Sequence, residues 1–171
     1  DAPPRCRACP VRVAAVSSFT RFDAPMLVQY DDKASALLGA DHWRVAQPFR
    51  FYLGEKDSDR WVYVPAGYLT DGASVPRMFW NVVPPWGQYG QAAVVHDIVC
   101  EYLSITTDGK PVPVSRARCD AILLEAMEVL GVPSWKRYPI YWAVCAYRVV
   151  ARVDQPSRDA LKMQLEAEWL R

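Results

Sequence analysis

The chain has 171 residues, of which 51% are hydrophobic and 23% charged, an ordinary globular balance. That excludes a disordered chain, which pairs low hydrophobicity with high net charge. Twenty Lys and Arg against nineteen Asp and Glu leave a net charge of +1, without the basic excess of a nucleic-acid binder. Only two histidines occur, His42 and His96, so a metal site built on three His is excluded.

Roughly residues 10–70 read as β-rich, and about 77–171 as helical. Short strands are expected over 11–16 and 26–30. Phe49, Phe51 and Leu53 alternate with Arg50 and Tyr52, the period of a half-buried strand. The polar turn 54–60 and the return 61–64 make 49–64 a hairpin. Apolar positions Tyr89, Ala92, Ala93, His96, Val99, Cys100 and Leu103 follow the helical period and predict a helix over 88–103. Residues 106–114, with Asp108-Gly109 and two prolines, read as a loop. Ser115 is a suitable N-cap and Gly131 a suitable C′ residue for the next helix. Further helices are expected over 138–153 and 157–170. The simplest account is one α+β domain over 1–171. It has N-terminal hairpins in a small antiparallel sheet and then a helical half with two antiparallel core helices.

No run of about 18 apolar residues exists, so no transmembrane helix is expected. The longest apolar stretch, 140–147, is broken by Arg148. Five cysteines, Cys6, Cys9, Cys100, Cys119 and Cys145, are an odd number and too sparse for a disulfide scaffold. Cys6-x-x-Cys9 lacks the second pair that a structural zinc site needs. The chain begins at Asp1 rather than Met, which is compatible with a removed leader and equally with trimming.

Three acids stand out around His96. Asp97 lies next to the apolar stripe, where carboxylates are rare unless paired or bound to a cation. Asp120 shares a helix face with Leu123, Leu124 and Met127, which should turn inward. Helices joined by a short connection tend to pack antiparallel, so His96 and Asp120 can meet. An Asp on a His fixes its tautomer and raises its basicity, the arrangement of a general base; a buried structural pair is the plainer alternative. Asp71-Gly72 is either a simple turn or a source of hard oxygen ligands, which suit Ca²⁺.

The run 64–67 (Val-Pro-Ala-Gly), 70–77 (Thr-Asp-Gly-Ala-Ser-Val-Pro-Arg), His96-Asp97, Arg116 and Asp120 resembles a family of small proteins common in bacteriophage genomes and described mostly as of unknown function. The resemblance spans roughly residues 45–150. Asp71-Gly-Ala-Ser74, His96-Asp97 and Ala117-Arg-Cys-Asp120 are also similar to prokaryotic secreted phospholipases A2. This second resemblance implies core helices of phospholipase A2 type. It implies His96 as base, Asp120 as its partner, and Asp71, the Gly72 carbonyl and Asp97 as calcium ligands. The substrate it implies is a phospholipid ester. Ser74 and Arg77 are candidates for contacting phosphate, with an ion pair to Asp71 or another carboxylate the alternative for Arg77. Trp80 and Trp86 are candidates for contacting a membrane surface, with hydrophobic packing over the helix start the plainer alternative. The loop departs from the phospholipases in Ala73, where they carry Cys. Cys100 stands where they often carry Tyr.

The expected function is therefore a calcium-dependent, phospholipase A2-like hydrolase, secreted, periplasmic or phage-delivered. Two alternatives stay open. One is a non-enzymatic phage, virion or host-interaction protein on the same scaffold. The other is a metal-dependent phosphohydrolase, which the shortage of histidines weakens.

Overall fold

A computed structural model describes residues 21–72 and 87–169. Strand β1 (Val28–Tyr30) leads into a short helix, α1 (Asp32–Leu38). The sequence pattern gave no sign of α1, because seven residues hold too few turns for a periodicity. Its ends are nevertheless well specified. The Asp31 side chain accepts from the Ala34 amide at 2.8 Å, and Gly39 closes the helix in the left-handed conformation.

Two small antiparallel sheets follow. In the first, β1, β2 (Trp43–Val45) and β5 (Leu69–Thr70) lie in the order β1-β2-β5. In the second, the expected hairpin forms from β3 (Phe49–Tyr52) and β4 (Arg60–Val64), with Phe49 opposite Val64 and Phe51 opposite Val62. Alternation decides the faces: Phe49, Phe51, Val62 and Val64 are buried, while Arg50 and Tyr63 face solvent.

Helix α2 (Gly90–Tyr102) carries the expected stripe. The segment after it differs from the loop reading. Strands β6 (Ser104–Thr107) and β7 (Lys110–Pro113) form a hairpin that extends the sheet to β3-β4-β6-β7. Asp108 and Gly109 both have positive φ, the two-residue turn that matches strand twist. Pro111 and Pro113 fit because β7 is the edge strand.

Helix α3 (Arg116–Val129) starts at Ser115, whose hydroxyl accepts from the Arg118 amide, and ends before Gly131 at φ 71°. Helix α4 (Ser134–Val150) begins a turn earlier than expected, with Pro139 inside it. Proline there removes one bond to the carbonyl four residues back. That carbonyl belongs to Trp135, an exposed residue where water can replace the bond. Helix α5 (Ala160–Trp169) packs on α1.

Contacts run in opposite order along α2 and α3: Gln88, just before α2, reaches the Leu130 carbonyl, His96 reaches Asp120, and Cys100 accepts from Arg116. The two helices are therefore antiparallel. Val95, Val99, Ile122, Met127 and the sheet residues Phe51 and Val64 share one core. The fold is α+β. The expected strand over 11–16 and the Cys6-x-x-Cys9 pair lie outside the described residues, and no helix among those described is long and apolar enough to cross a membrane.

Candidate functional site

A cleft of about 850 Å³ opens between β5, α2, α3, α4 and α5. The antiparallel pairing of α2 and α3 places His96 on its wall. His96 Nε2 and Asp120 Oδ1 are 3.1 Å apart. The other Asp120 oxygen accepts from Arg148 Nε at 2.7 Å. Asp120 itself is only 3% exposed. Burial alone would push its carboxyl up. The hydrogen bonds and charges of His96 and Arg148 outweigh this and hold it below the usual carboxylate range.

This geometry fixes the imidazole. A carboxylate at Nε2 favours the tautomer with hydrogen on Nε2, leaving the lone pair on Nδ1. Among the described residues Nδ1 has no hydrogen-bond partner. Cys100 Sγ also approaches Nε2, at 3.4 Å. Because Cys100 and Asp120 meet the same nitrogen, the three do not form a Cys-His-Asp relay, which uses both nitrogens. A hydrogen bond with Cys119, together with burial, pushes the Cys100 thiol further from ionisation. Cys100, Cys119 and Cys145 are free thiols.

Asp97 faces the same cleft next to β5. Its Oδ2 is 3.4 Å from the Thr70 hydroxyl, which also accepts from the Gly72 amide at 3.1 Å. Burial pushes the Asp97 carboxyl up to about 8, Asp71 and Glu101 add repulsion, and Lys162 and the Thr70 hydrogen bond oppose it. Asp71 is thus an electrostatic neighbour of Asp97, and it is exposed on the cleft rim.

Asp71, Asp97 and the Gly72 carbonyl are hard oxygen donors, and the repulsion from Asp71 that helps hold the Asp97 carboxyl up is of the kind a bound cation relieves. The donor set fits calcium in kind. It is fewer than the six to eight oxygens calcium takes, so water would have to supply further ligands. Among the described residues no group of three or more His, Cys, Asp or Glu is arranged to hold a metal ion. Ser74, Arg77, Trp80 and Trp86 lie outside the described residues.

Sequence reasoning missed a second network in the cleft. Lys162 Nζ donates to Glu101 Oε2 at 2.6 Å and to the Tyr68 hydroxyl at 3.1 Å, and Tyr68 donates to Glu101 at 3.0 Å. Burial and the nearby Asp97 and Glu101 push the Tyr68 phenol well above its ordinary range. Glu101 follows Asp97 by four residues on α2, so the pairing on one face was readable. Its partner on α5 was not. Arg148, noticed only as a break in an apolar stretch, is the third member of the His96–Asp120 group. His42 lines the cleft, with Nδ1 2.7 Å from the Ala40 carbonyl.

No solved structure matches the chain. The uncharacterized protein y4jT of Sinorhizobium fredii is 37% identical over 86 residues, which is 49% of this chain and 23% of that protein. The chain thus spans less than a quarter of that relative's length. Residues 43–144, more than half of the chain and the part that carries His96, Asp97 and Asp120, match a family described as protein of unknown function, DUF1353. The chain therefore belongs to the DUF1353 family.

Proposed function

We propose that the chain is a hydrolase in which His96, held by Asp120, activates water against an ester, with a phospholipid as substrate and calcium as cofactor. The observation that carries this reading is the 3.1 Å contact of His96 Nε2 with the buried Asp120 carboxylate, on a residue that lines the cleft; that contact favours the tautomer in which Nδ1 is the base. Nδ1 would take a proton from a water, and the imidazolium so formed would face the Asp120 charge, which stabilises it. Arg148 keeps Asp120 ionised for that role. Asp71, Asp97 and the Gly72 carbonyl would hold calcium, which when bound supplies a Lewis acid for the ester carbonyl and the developing oxyanion.

The test is release of fatty acid from mixed phospholipid vesicles with millimolar calcium, comparing wild type with His96→Ala. Calcium-dependent release by the wild type alone is expected. No release by either protein, or equal release by both, defeats the reading.

One observation favours a second reading, a non-enzymatic module. Asp120 joins His96 on α2 to Arg148 on α4, so the trio also acts as a bolt between three helices. In that case His96→Ala lowers stability and no hydrolysis is found.

A further inference from the structure

Among the described residues, the buried side-chain atoms that lack a hydrogen-bond partner are Tyr89 Oη, Glu101 Oε1 and Arg137 Nε. Tyr89 and Glu101 both line the cleft. Glu101 is the more demanding of the two, because it is a carboxylate only 2% exposed. Lys162 and Tyr68 both donate to its Oε2, and Oε1 receives nothing. A buried acceptor of this kind is costly until a donor meets it.

Charge indicates which donor is missing. Lys162 pairs with Glu101 at 2.6 Å and with Glu166 at 3.8 Å. Arg44, the other cation acting on Glu166, is committed to Asp31 at 2.7 Å. Glu101 and Glu166 therefore share one ammonium, and burial together with the Glu101 charge pushes the Glu166 carboxyl up. A further cation would balance the pair. The single open oxygen selects its type. Calcium or magnesium takes about six oxygens or more, a guanidinium presents a planar fork for two acceptors, and a quaternary ammonium has no N–H to donate. A primary ammonium fits. Lys162 supplies the precedent within the chain: its own ammonium lies 4.1 Å from the Tyr68 ring centroid and donates to Glu101.

We propose that Glu101 is the acceptor of a primary-ammonium site in the cleft, which takes a ligand carrying an aliphatic amine. The site shares no residue with the proposed calcium ligands and stands apart from the hydrolase reading. Glu101 follows His96 by five residues, about 8 Å along the helix axis. Where the hydrolase reading also holds, the site is close enough to grip an amine on the substrate itself.

The test titrates the full chain with ethylammonium chloride or tetramethylammonium chloride at constant ionic strength, read by calorimetry and melting temperature. Saturable binding of ethylammonium, and none of tetramethylammonium, is expected. Glu101→Gln keeps the shape of the side chain and should weaken ethylammonium binding by about tenfold or more. Amide shifts in isotope-labelled wild type, which need no variant, should centre on Glu101 and Lys162. No ethylammonium binding, equal binding of both cations, unchanged affinity in a folded Glu101→Gln protein, or shifts centred elsewhere overturns the proposal. Vesicles then identify the source of the amine. Faster fatty-acid release from phosphatidylethanolamine than from phosphatidylcholine, with the preference lost in Glu101→Gln, places it on a lipid headgroup. Equal release, with ethylammonium binding intact, places it on a separate small amine. Ethylammonium binding without any hydrolysis refutes the role of His96 and leaves the site standing; hydrolysis without ethylammonium binding does the reverse.

Discussion

Replacing Asp120 with Asn tests whether the buried trio is a single electrostatic unit. The carboxylate accepts from His96 at 3.1 Å and from Arg148 at 2.7 Å, with almost no solvent to substitute for either. Hydrogen bonds to charged groups contribute about 1.5–3 kcal/mol each, and removing one partner of a buried charge pair costs about 3–5 kcal/mol. An amide keeps one acceptor oxygen but turns an N–H₂ toward the other partner. Arg148 is about a quarter exposed and can be rehydrated in part, which places the expected loss lower, at about 2–4 kcal/mol at pH 7. The loss must depend on pH with a definite sign. The folded-state pKa of Asp120 is depressed, so its stabilisation is present above the unfolded carboxyl value of 3.8 and disappears as pH falls through the folded one. Urea denaturation of both proteins between pH 3 and pH 7 should therefore show curves that converge in acid. A difference below about 0.5 kcal/mol at pH 7, or one that persists unchanged in acid, would refute the reasoning.

Asp97 should behave in the opposite way. Its folded-state value is raised to about 8, so the folded protein holds a proton that the unfolded chain releases, and stability falls as pH rises from 3.8 towards 8. The slope approaches about 1.4 kcal/mol per pH unit for one full proton, and Asp97→Asn should flatten it in denaturant titrations; parallel profiles would contradict the assigned cause. If Asp71 and Asp97 hold calcium, millimolar calcium should flatten the same slope in the wild type and a chelator should restore it, with melting temperature as the readout. Lys162→Met should cost about 3–5 kcal/mol in chemical denaturation, because Glu101 is 2% exposed and loses its cation, while Lys162→Arg should recover part of that loss.

Much of this architecture follows from local pattern. The alternation of Phe49, Phe51, Val62 and Val64 specifies both the hairpin and its inner face, because strand side chains alternate strictly. Ser115 and Gly131 bracket α3, since helix ends need groups that satisfy orphan amides and tolerate positive φ. The β6–β7 hairpin also had a local signal in Asp108-Gly109, but its prolines argue for a loop until the strand is known to be an edge. Helix α1 is too short to show a period and depends on its caps and on packing against α5.

For the candidate site, residue pattern alone marks what is out of place: an imidazole and one carboxylate, Asp120, on helix faces that should be apolar, and a second carboxylate, Asp97, beside one of those faces. It also implied that His96 and Asp120 could meet, through the antiparallel packing of neighbouring helices. Which side chains share them depends on how distant elements pack. Arg148 comes from α4, and Lys162 reaches Glu101 from 61 residues away in the chain. Periodicity reports burial along one element, whereas the partner of a buried charge is chosen by how separate elements pack. The same limit hid the outer face of α4. An aromatic helix reads as core from its composition, and only the packed fold leaves Trp135 and Trp142 facing outward.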